Sequence, residues 1–264
     1  GQFGPDMKPE KIRPAFQALG FKDVVEVAVG ADLCTIEEAK DFMEEVPEKL
    51  PFMGTSCCPA WSVMAKKLFP EYANCISMAL TPMVLTARMI KQKEPDCKVV
   101  FVGPCAAKKL EASRRTVRSY VDFVLTFEEL QGMFDAKNVN FKELPDGEPL
   151  MQASADGRGF AASGGVAAAV VKAVKRMDPD REVKVVSAEG LANCKKMMQL
   201  AKAGKYNGYL LEGMACPGGC IAGAGTIQPI KKTNASLELM KKQAAFTDCM
   251  DTAYENLLPQ LEEL

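Results

Sequence analysis

The chain contains no histidine. That removes the commonest general base near neutral pH, the histidine-bearing zinc sites and the Cys-His nucleophile pairs. Charge of one sign is also missing: 33 Lys and Arg against 34 Asp and Glu leave a formal net charge of -1. No global field therefore draws in nucleic acid or an anionic membrane. No run approaches the roughly 20 apolar residues of a membrane span, and no basic segment precedes an apolar one at the start. Nor is there an internal repeat, a low-complexity tract or a linker. These absences point to a cytoplasmic protein that finds its partners through local patches.

What is present is a large core and much sulfur. The 264 residues are 48% apolar, and a chain of this size buries roughly 70 to 75% of its unfolded surface. One large unit with two lobes, spanning 1-264, is the expected organisation. The sequence has 10 cysteines. Small secreted domains use such numbers as disulfide staples for want of a core, and this chain does not lack one. Metal or redox chemistry is the better reading, with sulfur as the coordinating atom.

The pattern alternates helix and strand. Lys8 to Leu19 predicts an amphipathic helix ended by Gly20, and the β-branched run Val24 to Val29 predicts a buried strand. Thr35-Ile36-Glu37-Glu38 has the form of a capping box opening a helix through about Glu45. Pro51 to Ser56 is extended. Pro59 to Phe69 and Thr81 to Lys93 read as helices, the second with Thr81 as N-cap and Pro82 at its first position. Lys98 to Gly103 and Val121 to Leu125 predict strands, with Thr126 and Glu129 as a capping box for the helix to Phe134. Leu144 to Ala162 reads as loop. A helix from Ser163-Gly164-Gly165 to Met177 precedes a strand over Val183 to Ser187, a helix over Gly190 to Ala203 and a strand over Tyr209 to Glu212. Leu237 to Leu261 is mostly helical, interrupted near Thr247.

The cysteines fall into two groups. Cys34, Cys75, Cys97, Cys194 and Cys249 stand singly in or beside predicted helices and strands, where free cysteine usually packs as a small hydrophobe. Cys57, Cys58, Cys105, Cys216 and Cys220 sit in loops rich in Pro and Gly. Three extended runs end in those loops, and ligands gather at the carboxyl ends of strands in open parallel sheets. Structural zinc prefers paired CxxC knuckles. An adjacent pair, a lone cysteine and a CxxxC fit an iron-sulfur cubane better, since it accepts scattered thiolates from separate loops. Adjacent cysteines rarely both ligate without strain, so one of Cys57 and Cys58 should be spare.

Thr55-Ser56-Cys57-Cys58-Pro59-Ala60-Trp61, Gly103-Pro104-Cys105-Ala106-Ala107-Lys108-Lys109 with the following Leu-Glu-Ala, and Glu212-Gly213-Met214-Ala215-Cys216-Pro217-Gly218-Gly219-Cys220 resemble, in order, the three signature stretches of the FeFe-hydrogenase active-site domain. Segments between them, such as those around Cys34 and Gly164, resemble it too, so most of the chain is covered. The resemblance implies an α/β fold of two lobes with mainly parallel sheets flanked by helices and the metal site in the cleft between them. It implies reversible interconversion of H2 with protons and electrons. The implied cofactor is a 4Fe-4S cluster on Cys58, Cys105, Cys216 and Cys220, bridged through Cys220 to a dinuclear iron subsite with CO, CN and azadithiolate ligands. A ferredoxin-like electron carrier and hydrogenase maturation proteins are the implied partners.

By the same match Cys57 is the spare thiol, a proton donor and acceptor continued by Glu38, Ser77 and Asp41. Lys108 matches the lysine that contacts a cyanide ligand, and Met214 a methionine near the diatomic ligands. Pro104 and the Gly218-Gly219 pair shape the loops. Four positions depart from the best-known branch: Gly103 stands for a methionine, Met83 for a glutamine, Asp41 for a glutamate and Glu45 for an arginine. Such changes tune potential and solvent access, so the lining is that of a less-studied branch. The chain opens at Gly1, where the family first has a further strand, which points to truncation there, and with no four-cysteine ferredoxin module before the site any accessory clusters lie upstream, on a partner or nowhere. A hydrogen-sensing domain of low turnover and a non-catalytic iron-sulfur relative are the rival readings.

Overall fold

The computed structural model describes residues 1–115, 117 and 120–262. In chain order the elements are α1 (Pro9–Ala18), α2 (Ala28–Glu45), β1 (Met53–Gly54), α3 (Pro59–Leu68), α4 (Pro82–Lys93), β2 (Val100–Val102), α5 (Ala107–Ala112), β3 (Phe123–Leu125) and α6 (Phe127–Ala136). They continue with α7 (Ala155–Gly159), α8 (Gly165–Met177), β4 (Lys184–Glu189), α9 (Leu191–Lys202), β5 (Tyr209–Met214), α10 (Ile230–Lys242) and α11 (Leu258–Glu262). Helices flank two parallel sheets, one ordered β1-β5-β4 and the other β2-β3. The fold is α/β, as expected. Among the described residues no helix is long and apolar enough to cross a membrane.

α2 is the axis of the main core. Val29, Leu33, Ile36 and Phe42 are buried with Leu85 of α4 and Val166, Val170 and Val174 of α8. Here two expectations fail. The run Val24 to Val29 forms no strand: Val24 to Val27 lead as loop into α2, and Ala28 and Val29 are its first residues. Thr35 lies inside α2 and its hydroxyl donates to the Ala31 carbonyl at 2.8 Å, so it caps nothing and Glu38 is free of a capping role. Gly30 explains how α2 and α4 approach: a Cβ there would lie 2.1 Å from the Pro82 carbonyl oxygen.

Elsewhere the local chemistry works as the residues suggest. Thr126 and Glu129 form a reciprocal capping box at α6. Thr81 stands at the N-cap of α4 with Pro82 after it, yet its hydroxyl makes no cap bond. The span Leu144 to Ala162 is not all loop. α7 forms within it because Ser154 accepts from the Gly157 N–H and is itself held by buried Asp32. The C-terminal helix begins earlier than expected, at Ile230, and gives way after Lys242 to short 3-10 turns before α11.

Trp61 ties α3 to the first sheet. It is fully buried, its indole N–H donates to the Thr55 carbonyl at 3.0 Å, and its ring lies flat against Gly213 of β5. A Cβ on Gly213 would stand 2.2 Å from that ring. Gly213→Ala should therefore destabilise the protein by about 1–3 kcal/mol through overpacking. Gly132→Ala, in an open stretch of α6 with nothing within 4 Å of the new methyl, should stabilise by roughly 0.5–1 kcal/mol. Urea denaturation of the two variants checks both signs, and equal effects would refute the packing argument.

Candidate metal centre

The motif cysteines are presented from strand ends. β1 runs parallel to β5, with Gly54 opposite Leu211, so the loop bearing Cys57 and Cys58 and the loop bearing Cys216 and Cys220 leave from the carboxyl end of one sheet. Cys105 follows β2 of the other sheet. The two sheets meet through the loops: the Gly225 N–H donates to the Pro104 carbonyl at 2.9 Å, and a Cβ on Gly223 would lie 2.5 Å from that same oxygen. Ala215 N–H points at the Cys58 sulfur at 3.5 Å. Gly218 and Gly219 both have φ of +91°, in the left-handed region that favours glycine.

Cys58 and Cys105 stand near enough to act on both Cys216 and Cys220. Burial pushes the Cys220 thiol up to about 12, and neighbouring Cys58 and Cys105 add to this. Cys216 is raised for the same reasons, burial first, then Cys105 and Cys58. Thiols that resist ionisation because they are buried, and beside other thiols, are the state that bound iron relieves, since coordination needs thiolates. Among the described residues no three Cys, Asp or Glu side chains close on a single metal ion. A donor set of four soft sulfurs from separate loops fits an iron-sulfur cluster.

Cys57 is half-buried. Its thiol is held well above its ordinary value by burial and then by Glu38. Glu38 is fully buried. Its Oε1 accepts from the Ser56 N–H at 2.9 Å and faces the Ser56 hydroxyl at 3.3 Å, while Oε2 has no hydrogen-bond partner. Desolvation raises this carboxyl to about 7, and hydrogen bonds from Ser56 and Ser77 offset only part of that. Ser77 is buried beside it, with its N–H on the Gly54 carbonyl at 2.8 Å. Asp41 lies one helical turn along α2 from Glu38, half-buried. Glu45 closes that helix and pairs with Lys49 at 3.0 Å.

Lys108, on the first turn of α5, is buried with its ammonium 3.4 Å from the Cys57 carbonyl oxygen and 2.7 Å from Glu111. Glu111 also accepts from the Thr81 hydroxyl at 2.8 Å, which is where the missing α4 cap bond has gone. Met214 ends β5 and is buried, as is Met83 on the first turn of α4. Gly103 lies under the Phe101 ring, 2.7 Å from where a Cβ would be. Glu111 and Glu212 were not expected from the sequence. Glu111 could have been found by its i,i+3 spacing from Lys108, and Glu212 as the one acid in an otherwise apolar buried strand. Of the cysteines read as packing, Cys34, Cys75, Cys194 and Cys249 are buried, and Cys97 is partly exposed.

Comparison with known proteins adds the lineage. The family model described as the iron only hydrogenase large subunit, C-terminal domain, matches residues 1–224. Iron hydrogenase 1 of Clostridium pasteurianum is 30% identical over 92% of this chain and 50% of its own length. The periplasmic Fe hydrogenase large subunit of Nitratidesulfovibrio vulgaris is 32% identical over 83% of this chain and 62% of its own. This chain thus spans about half to three fifths of those relatives. A probable cytosolic Fe-S cluster assembly factor of Aedes aegypti is 26% identical over 90% of this chain and 62% of its own. An FeFe-hydrogenase from Chlamydomonas reinhardtii superposes with a TM-score of 0.77 at 24% identity, covering 97% of this chain and 84% of that one. With the family model matching most of its length, the chain belongs to the family of the iron-only hydrogenase large subunit, C-terminal domain.

Proposed function

We propose that this chain is the catalytic domain of an FeFe-hydrogenase, a single unit over 1-264 that interconverts H2 with protons and electrons. The observation that carries the reading is a fifth thiol, Cys57, on which the fully buried Glu38 acts, next in the chain to one of the four cysteines that the family resemblance gives to a cubane. Holding a cluster needs no such pair.

Cys58, Cys105, Cys216 and Cys220 would hold a 4Fe-4S cluster together with a dinuclear iron subsite that carries CO, CN and azadithiolate ligands. When bound, that group supplies the electron transfer and hydrogen activation of the reaction. The chain's own part is to move protons and keep water out. The Cys57 Sγ gives or takes a proton at the pocket, and Glu38 passes it on, because a carboxyl balanced near neutral pH can both accept and release. Ser77 and Asp41 continue the route toward the end of α2. Lys108 offers an ammonium donor to negative charge in a dry site, held there by Glu111. Met83, Met214, Gly103 and Pro104 shape the lining. A ferredoxin-like carrier exchanges electrons, and hydrogenase maturation proteins install the dinuclear part.

The alternative is a non-catalytic iron-sulfur role. It is favoured by the relatives named as Fe-S cluster assembly factors, 26% identical in Aedes aegypti and 26% in Danio rerio.

Infrared spectra of the protein matured with the hydrogenase maturation proteins separate the two readings. Bands of bound CO and CN in the window free of protein absorption are expected; their absence would sink the enzyme reading.

Substitution divides the cysteines. Cys57→Ala should keep the cubane, counted as iron per chain, and lose on the order of 100-fold in H2 turnover, the scale of a missing acid-base group. Cys58→Ala should lose iron itself. Full turnover in Cys57→Ala would overturn the relay.

Glu38 also predicts a pH dependence in the metal-free protein. Its folded value of about 7 lies above the ordinary 4.5, so between them the native state binds more protons than the unfolded chain. Stability from this group is full below the ordinary value and falls by up to ~1.4 kcal/mol per pH unit as pH rises toward the folded one. Urea titrations of Glu38→Gln should show that part of the slope removed; a slope identical to that of the unmodified chain would contradict the assignment.

A further inference from the structure

Glu212 is a fully buried carboxylate on β5, upstream of Cys216 and outside the proton route and the thiol set. Its Oε1 accepts from the Gly164 N–H at 2.9 Å and its Oε2 from the Ala167 N–H at 3.1 Å. The Ser187 hydroxyl, on the paired strand β4, stands 3.4 Å from Oε2. Each of these contacts offers a hydrogen to the carboxylate, and the amides are those of the α8 N-cap, Gly164, and of its first turn, Ala167, where the helix dipole favours an anion. This is the setting of an ionised acid. Burial raises its pKa, and these amide bonds work against that rise.

The turn that Glu212 grips is the one against which the third cysteine loop rests. The Ser163 N–H donates to the Gly218 carbonyl at 3.2 Å, and the Ile221 N–H donates to the Ala161 carbonyl at 3.0 Å. Gly219 lies so close that a Cβ would be 2.5 Å from the Ser163 nitrogen. Cys220 stands between Gly219 and Ile221, so both its chain neighbours are fastened to the Ala161–Gly165 turn. Glu212 fastens that turn to β5, which leads into Cys216. The two cysteines of the loop are thereby referred to one buried acid.

We propose that Glu212 is a positioning residue for the Cys216–Cys220 loop, acting through the turn over 161–165, and that its buried negative charge lowers the reduction potential of a cluster held by that loop. The charge argument is Coulombic: a fixed anion in a dry interior disfavours adding an electron nearby. The second half rests on the cubane reading above; the first does not.

The test is Glu212→Gln, which keeps the shape, removes the charge and turns an amide NH2 toward a backbone N–H. In the metal-free protein, hydrogen-deuterium exchange over 161–165 and 218–221 should quicken roughly tenfold or more, the scale of a lost charge-assisted bond. In protein reconstituted with a 4Fe-4S cluster, the midpoint potential should move positive with iron per chain unchanged, a shift that a merely structural residue would not produce. Glu212→Asp, shorter but charged, should restore the potential while exchange stays fast. Unchanged exchange in the glutamine variant overturns the tether, and an unchanged or more negative potential overturns the charge role. If the unmodified chain takes up no four-iron cluster, the reading of the metal centre fails while the exchange measurement still decides the tether. Should Glu212→Gln not fold, Ser187→Ala carries the test: it removes only the 3.4 Å hydroxyl contact, and exchange in the same two segments should rise by a smaller factor, with no rise overturning the proposal.

Discussion

The parallel pairing of the two-residue strand β1 with β5 is the contact on which the thiol pocket depends. A strand so short has little stability of its own. It is held from both sides: Thr55 N–H bonds the Leu211 carbonyl, Ser77 N–H bonds the Gly54 carbonyl, and Gly54 bridges in parallel to Ile76. One strand therefore aligns three segments. It sets Cys57 and Cys58 beside the loop of Cys216 and Cys220, and it brings Ser77 to Glu38 in the same stroke. Trp61 locks the arrangement by filling the space over Gly213 and bonding the Thr55 carbonyl. Moving β1 would displace two cysteines and the polar route together.

Around that pocket the protein buries three carboxylates, and their partners decide what each can do. Glu111 faces an ammonium at 2.7 Å, an ion pair whose disruption would leave an uncompensated buried charge. Glu212 has two helix N-terminal amides. Glu38 has neither a cation nor a helix terminus, only the Ser56 amide and the hydroxyls of Ser56 and Ser77, so desolvation wins and carries its carboxyl to about 7. The weakest compensation belongs to the acid nearest the spare thiol. An acid balanced between its two forms suits proton transfer, and acids with an ammonium or helix amides as partners suit placement.

The cysteine loops, the capping box at Thr126 and the strands feeding the pocket were legible because each is written locally, in turn residues, caps and short β-branched runs. The end of α2 at Glu45 was legible, but its start was not. Its neighbours bury it on most faces, so no polar stripe marks its beginning at Ala28, and Thr35 with Glu38 imitated a cap inside a helix already under way. Glu38 was picked out by resemblance for a reason the local pattern obscured: its carboxylate reaches Ser56, a contact 18 residues away in sequence. α7 was hidden likewise, since its cap at Ser154 is fixed by Asp32, 122 residues distant. Long-range polar contacts leave no periodic trace.

The two readings of the site part over groups that a cubane does not use. Four thiols and their loops suffice to hold a cluster, and a chain needing only that would gain nothing from Cys57 or from the buried pair of Lys108 and Glu111. Burying that pair costs desolvation that a hydrophobic pair of the same volume would avoid. Such a cost is explicable where the ammonium meets negative charge brought into the pocket from outside. The outer end of the polar route differs in kind. On the route proposed above, Glu38 and Ser77 would be followed by Asp41, and Glu45 at the end of α2 pairs with the exposed Lys49. A proton leaving by that route meets carboxylates at both positions and a lysine only at the rim. Glu38 is fully buried, whereas Asp41 and Glu45 are half-buried and Lys49 is exposed, so salt would screen the outer charges of such a route and leave the inner acid untouched.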